Sequence, residues 1–357
     1  GLEVPGSPEP YAFDFESSDA VLASFRERLP AMVELVKAIA IAELETDGRY
    51  VEATHDGFFE AFDENSLGPN DLEQFPDYLL CLNGASRAVS DHTALMELLS
   101  SGVPVKVLVE TEDILEESSL GQGQFAFGVR SMQLASLATG LDDTFVLQST
   151  SSNLYPLRDR ISRGLAWPQS TLFSVYTGCA GAARVPVYLM SAAAMQSRAF
   201  PAFTYDPGAG ADLATRFSLE DNPDAQIDWS IAPFEYADEN LERREEQLAF
   251  TFADFVLCDR RYARHFARVP PDGWNGHLLP VADWLARPAI ETRETVPCLL
   301  AVDEADVLHK VVIDEKLVRA VRRCRETWHR LQELGGIHSS HAERLLAHER
   351  AAWETAR

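Results

Sequence analysis

Two apolar segments separated by a helical pattern constrain the fold of this chain more than any other feature. Residues 78–82 are apolar and run into Asn83-Gly84, and residues 104–109 form a second run, apolar except for Lys106, that ends in the polar segment 110–113. Residues 91–99 between them have helical spacing. Strand, helix and strand in this order form a βαβ unit with parallel strands. Both polar segments then lie at the carboxyl edge of a sheet, where ligands bind in open α/β proteins.

The same alternation continues along the chain and predicts a doubly wound α/β fold. Further strands are predicted at residues 144–148, 170–176 and 199–205, and further helices at 127–140, 154–164 and 187–197. Alternating strands and helices favour a mainly parallel sheet with helices on both faces. The expected domains are a linker and helical arm (1–74), the α/β domain (75–290), and an appendage (291–357).

The C-terminal third has a different pattern. Residues 234–268 are rich in Glu and Arg and are predicted to be helical, whereas residues 297–302 and 307–313 are predicted to form a β-hairpin. A helix that begins near Leu317 is expected to end at Gly335-Gly336. A second helix, from about residue 339 to 353, is expected to pack back on it, so that the appendage is a β-hairpin followed by an αα-hairpin.

Composition excludes some functions. The formal net charge of −25 argues against binding to nucleic acid or to anionic membrane surfaces, which need basic patches. The acidity is explained either by solubility alone or by docking to a basic partner.

No apolar run approaches the ~20 residues of a membrane span, so no membrane span is expected. Five scattered cysteines predict a reducing, cytoplasmic setting, and the N-terminus, which lacks Met and a signal sequence, suggests a chain that begins inside a longer polypeptide.

Four segments, in order and spacing, resemble the thiamine-diphosphate domain at the C-terminal end of pyruvate:ferredoxin oxidoreductases. Leu82-Asn83-Gly84 falls on the Gly-Asp-Gly motif of that family, and residues 110–116 fall on its Asp-Thr-Glu-Val-Tyr-Ser-Asn loop. Residues 166–179 resemble one later segment of the family, and residues 200–207 with 218–223 resemble another. The resemblance covers roughly residues 10–270 and implies a thiamine-diphosphate-binding fold.

The resemblance also implies a function: a module of a 2-oxoacid:ferredoxin or flavodoxin oxidoreductase, which decarboxylates a 2-oxoacid on thiamine diphosphate and passes electrons through [4Fe-4S] clusters. Cofactor binding would fall on Asn83, Gly84, Thr111, Asp113 and Glu116, with Mg²⁺ on Asn83, Thr111 and Asp113. Cys179 falls on a cluster ligand, and the other thiolates would come from upstream residues or another chain. The implied partners are upstream domains or subunits, and ferredoxin or flavodoxin, in a homo- or hetero-oligomer.

The chain departs from the family pattern at charged positions. Asn83 stands where the family has Asp and brings no charge to a divalent cation, and Glu116 stands where a neutral side chain faces the diphosphate. Two hypotheses follow: a thiamine-dependent enzyme module, or a degenerate non-catalytic domain that acts as an assembly scaffold or partner-binding module. Cys179 is correspondingly either a cluster ligand or a buried thiol.

Overall fold

The computed structural model describes residues 13–83, 89–115, 131–141, 143–179, 181, 185–237, 242–303 and 305–356. Its helices are α1 (Ser18–Thr46), α2 (Glu52–Glu60), α3 (Pro69–Leu72), α4 (Val89–Ser100), α5 (Ser131–Ala138), α6 (Arg158–Leu165), α7 (Val187–Gln196), α8 (Leu213–Arg216), α9 (Phe252–Leu257), α10 (Val281–Ala286), α11 (Glu315–Leu334) and α12 (Ser340–Ala356). Its strands are β1 (Asp14–Phe15), β2 (Tyr78–Asn83), β3 (Val105–Thr111), β4 (Phe145–Thr150), β5 (Thr171–Tyr176), β6 (Phe203–Tyr205), β7 (Phe217–Ser218), β8 (Ser230–Ala237), β9 (Arg243–Phe250), β10 (Phe266–Val269), β11 (Leu278–Pro280), β12 (Val296–Val302) and β13 (Leu308–Ile313). No helix within these ranges is both long and apolar enough to cross a lipid bilayer.

The central sheet is mainly parallel, as predicted. Its strand order is β1-β2-β3-β5-β4-β6-β7. The pairs from β1 to β4 are parallel, whereas β6 and β7 add antiparallel strands at one side. The chain therefore places the carboxyl ends of β2, β3, β5 and β4 along one edge.

Helices cover both faces of this sheet, which confirms the α/β layering. On one face, side chains of α1, α4 and α5 pack against Leu80, Val107 and Val146, all fully buried. On the other face, α6 lies against Phe145 and Phe173. The approach of α6 is so close that a Cβ at Gly164 would stand 2.7 Å from the Phe145 ring and 2.9 Å from the Phe173 ring.

The predicted β-hairpin forms the centre of a second sheet. Strands β12 and β13 are antiparallel, and β10 and β11 flank them in the order β10-β13-β12-β11. Helix α11 joins this part of the chain to the central sheet. Its Leu317 and Val321 belong to a core with α9 and β13. Its Trp328 and Leu331 belong to the core beneath β2 and β3.

The helix predicted over residues 234–268 is wrong. These residues form most of the β8–β9 ribbon, then α9, a 3₁₀-helix at Arg260–His265 and β10. The ribbon alternates in period two: Phe234 and Tyr236 lie on one of its faces, with ring centroids 5.8 Å apart. The many Glu and Arg residues obscured this alternation, because these long side chains are also typical of exposed helices.

The expected packing of the second appendage helix is also wrong. Both helices form, but every side chain described in α12 is exposed. Leu345 and Leu346 are each 57% exposed, and Trp353 is 79% exposed. The apolar face of α11 already packs in the two cores, so it does not receive α12.

Candidate functional site

The structure brings four of the predicted site residues to the carboxyl edge of the central sheet. Asn83 ends β2 and pairs in register with Glu110, while Thr111 ends β3 and pairs with Tyr176 of β5. The backbone N–H of Thr177 donates to the Thr111 carbonyl oxygen over 2.9 Å and extends this ladder towards Cys179. Asp113 follows Thr111 directly. Gly84 and Glu116 lie outside the described residues.

Asp113 is held on both of its carboxylate oxygens. Its Oδ1 accepts a hydrogen bond from the backbone N–H of Leu115 over 2.9 Å, which closes a tight turn after β3. Its Oδ2 accepts from Nη1 of Arg261. Ile114 and Leu115 are buried, so the turn is anchored in the apolar core. The carboxylate therefore faces a fixed cation supplied by the chain itself.

Arg261 is fixed by a second carboxylate, that of Asp259, which is only 1% exposed. The guanidinium donates from Nη2 to Asp259 Oδ2 over 2.6 Å and from Nε to both Asp259 oxygens over 3.1 Å. Such forked pairs are the strongest ion pairs that proteins form. Hydrogen bonds to Asp259, and then to Asp113, raise the pKa of Arg261 above its ordinary value, so its charge is permanent.

Tyr262, the residue after Arg261, also contacts the turn that follows β3. Its hydroxyl donates to the carbonyl oxygen of Leu115, and its ring is buried. The 3₁₀-helix that carries Arg261 and Tyr262 ends at His265, whose Nδ1 lies 2.6 Å from Oδ2 of Asp314 at the start of α11. The carboxyl edge of the central sheet is thus connected by polar contacts to the C-terminal part of the chain.

Cys179 lies in the same electrostatic environment. It is half-buried, and burial is the largest cause that raises its pKa. The nearby Asp113 and Asp259 raise the pKa further, whereas Arg261 opposes them. The raised pKa favours the neutral thiol of Cys179 over its thiolate, the form that acts as nucleophile. Gly178 before it has a φ of +92°, and a Cβ there would lie 2.8 Å from Cγ1 of Val187.

The described side chains at this edge do not fit a divalent cation bound to a diphosphate. Mg²⁺ is usually held by one or two carboxylates, and Asp113, the described carboxylate among the predicted ligands, already contacts Arg261. The two carboxylates and one guanidinium leave a net negative charge, which repels a diphosphate. Across the described ranges, no group of three or more His, Cys, Asp or Glu side chains is arranged to hold a metal ion.

Sequence reasoning did not predict Asp259, Arg261 or Tyr262. They lie in the segment that was predicted to be helical, about 150 residues from Asp113, and their role depends on the tertiary fold. A local signal was nevertheless present: residues 252–257, apolar except for Asp254, are followed by Asp259, whose Oδ1 accepts from the backbone N–H of Arg261 over 2.9 Å. An Asp two residues before an Arg, directly after a buried segment, is typical of a chain reversal.

No protein-family model matches the chain, and no curated protein matches it.

Proposed function

We propose that this chain is a non-catalytic domain of a 2-oxoacid oxidoreductase-like assembly, in which a thiamine-type α/β sheet serves assembly and partner binding. The observation that carries the proposal is the position of Arg261. Its guanidinium contacts Asp113, which the resemblance assigns to the Mg²⁺ site, and is held there by Asp259. The guanidinium of Arg261, a cation that belongs to the chain itself, thus takes the place of a bound Mg²⁺ beside Asp113.

Electrostatics make the internal cation and a bound Mg²⁺ mutually exclusive. A divalent ion beside Asp113 would lie within several Å of the Arg261 guanidinium. The Coulomb repulsion between the two cations is on the order of several kcal/mol at the effective dielectric of a protein surface. Asn83 supplies no charge to offset this repulsion. Release of Arg261 would in turn leave Asp259, which is almost fully buried, without its partner.

A thiamine-dependent enzyme module is the alternative, and one observation favours it. Thr111, Asp113 and Cys179 follow neighbouring parallel strands, as the resemblance requires. In that case thiamine diphosphate and Mg²⁺ would bind at this edge. Cys179 would join thiolates of upstream domains or of another subunit around a [4Fe-4S] cluster, and ferredoxin or flavodoxin would accept the electrons. Both proposals assume the cytoplasmic setting that the scattered cysteines predict.

Ligand-dependent thermal unfolding separates the two functions. A ligand present at a hundredfold excess over its Kd stabilises the folded state by about 2.7 kcal/mol. We expect millimolar Mg²⁺ with thiamine diphosphate to leave the melting temperature of the wild type nearly unchanged. A rise of several degrees would contradict the non-catalytic proposal and restore the enzyme module.

Replacement of Arg261 by Gln tests the internal cation directly. Loss of one partner of a partly buried ion pair is expected to cost roughly 2 kcal/mol, since the side chain of Arg261 is 39% exposed. We expect Mg²⁺ or Ca²⁺ to recover part of this loss, because Asp113 and Asp259 are then left without a cation. Arg163→Gln, which removes a single pair with Asp206, is the control and should not respond to divalent ions. Equal stability of Arg261→Gln and wild type would contradict the role assigned to Arg261.

A further inference from the structure

Helix α12 is a long helix whose described side chains are all exposed. It has 17 residues, and Leu345, Leu346 and Trp353 are its large apolar side chains. Isolated helices of this length are marginally stable in water, because most helical stability comes from packing of one face. Exposed apolar side chains grouped on one element mark interaction surfaces. A covering surface for α12 is therefore expected from outside the described chain.

One stripe of α12 has the spacing of a helix–helix seam, and three of its four side chains are apolar, with Glu349 as the exception. Ala342, Leu346, Glu349 and Trp353 recur at steps of four, three and four, which places them along one stripe of the helix. Glu343 and Arg350 are seven residues apart and flank the same side of this stripe. The flank thus has one acidic and one basic position, separated by two helical turns.

We propose that α12 pairs with α12 of a second copy of this chain, antiparallel about a two-fold axis near the midpoint between Leu346 and Ala347. Positions at equal distances from that midpoint face each other. Glu343 then faces Arg350 of the second copy, and Arg350 faces its Glu343, so the two-fold axis generates two ion pairs. In a parallel pair the two flanks that carry Glu343 and Arg350 would lie on opposite sides of the seam, so neither ion pair would form.

The stripe that contains Leu346 and Trp353 also fits this antiparallel register. Leu346 lies next to the axis and packs on its own copy, while Trp353 covers the first turn of the opposite helix. A surface that matches itself in this way is the mark of an isologous interface.

The low net charge of this helix permits self-association. Residues 340–356 contain three Glu and two Arg, so α12 is almost neutral, whereas the whole chain has a formal net charge of −25. Two copies that approach through α12 bring little repulsion to the contact itself. One helix about 25 Å long buries less than the roughly 800 Å² per partner of a standard interface, so the dimer is weak and depends on concentration. The inference does not depend on the proposed function, because α12 lies outside the central sheet.

Analytical ultracentrifugation across a range of protein concentrations tests the dimer. We expect the wild type to shift from monomer to dimer as concentration rises, and Leu346→Asp to remain a monomer. Leu137→Asp, at a 62% exposed Leu on α5, is the matched control and should dimerise like the wild type. A wild type that stays monomeric overturns the proposal, as does a dimer that Leu346→Asp leaves intact.

Charge reversal tests the antiparallel register without depending on the fold of α12. Glu343→Arg and Arg350→Glu each turn two attractive pairs into repulsive ones, and each is expected to weaken self-association about tenfold. An equimolar mixture of the two variants restores complementary pairs, so we expect it to form a mixed dimer with the affinity of the wild type. A mixture that associates no better than the separate variants overturns the antiparallel arrangement.

Discussion

At the scale of single residues, Asp254 connects a helix cap to the pH dependence of stability. Its Oδ2 accepts hydrogen bonds from the backbone N–H and from Oγ1 of Thr251, both over 2.7 Å, at the start of α9. Burial raises the pKa of Asp254 to about 6 from an ordinary 3.8, although the bonds from Thr251 oppose the change. Between these two values the folded state keeps a proton that the unfolded chain has lost. Stability from this group is therefore present at low pH and falls as pH rises towards 6.

Asp254→Asn is expected to remove this dependence, because Asn still accepts from Thr251 and does not titrate. Relative to the variant, the wild type should lose stability between about pH 4 and pH 6 and change no further above that range. Denaturant unfolding of both proteins at several pH values measures the difference. A constant difference from pH 4.5 to pH 7 would show that Asp254 ionises freely in the folded state.

Arg198 combines a strained backbone with a buried guanidinium. Its φ is +60°, its Nη2 donates to the Asp224 carbonyl over 2.9 Å, and its Nε donates to the Asp228 carbonyl over 3.2 Å. The guanidinium stacks 4.1 Å above the ring centroid of Trp328. The side chain thus joins the end of α7 to α11 and to the loop at residues 224–228.

We expect Arg198→Ala to destabilise the fold by about 3 kcal/mol or more, because buried carbonyls lose their donors. Arg198→Gly separates the two contributions: it loses the same contacts but relieves the positive φ, so it should be roughly 1 kcal/mol more stable than the Ala variant. Chemical denaturation measures both. Equal losses for Gly and Ala would show that the backbone is not strained there.

At the scale of elements, replacement of Gly by Ala is expected to have opposite effects on stability in two helices. A Cβ at Gly57 of α2 meets nothing within 4 Å, whereas a Cβ at Gly164 of α6 would overlap the rings of Phe145 and Phe173. Ala improves helix propensity at both sites by roughly 0.5–1 kcal/mol. We expect Gly57→Ala to raise the melting temperature and Gly164→Ala to lower it, since overpacking costs typically 1–3 kcal/mol. A stabilised Gly164→Ala would mean that α6 moves freely away from the sheet.

The elements that sequence reasoning predicted are those with a strong local pattern. Strands β2, β3 and β5 are mainly apolar, so each was predicted close to its true limits. The β8–β9 ribbon was missed because exposed strands carry no apolar pattern strong enough to outweigh their Glu and Arg content. The contact of Arg261 with Asp113 could not be predicted, since it depends on how two distant segments pack.

At the scale of the whole molecule, the net charge predicts how salt affects stability. A formal charge of −25 destabilises the compact state through self-repulsion. Salt shortens the screening length to about 10 Å at 0.1 M ionic strength, which weakens this repulsion more than it weakens the partly buried pairs of Arg261. We expect the melting temperature to rise from low to moderate concentrations of NaCl, and equally in choline chloride. A fall would mean that surface ion pairs outweigh self-repulsion.

Helix α11 has a consequence for how the chain folds during synthesis. Trp328 and Leu331 share one core with Val21 and Leu80, residues that leave the ribosome about 310 and 250 positions earlier. Until α11 emerges, the nascent chain presents part of the apolar face around β2 and β3 to water and to other proteins, a state prone to aggregation. Native folding of the central sheet is therefore completed after most of the chain has been translated, and it calls for protection by chaperones in the interval.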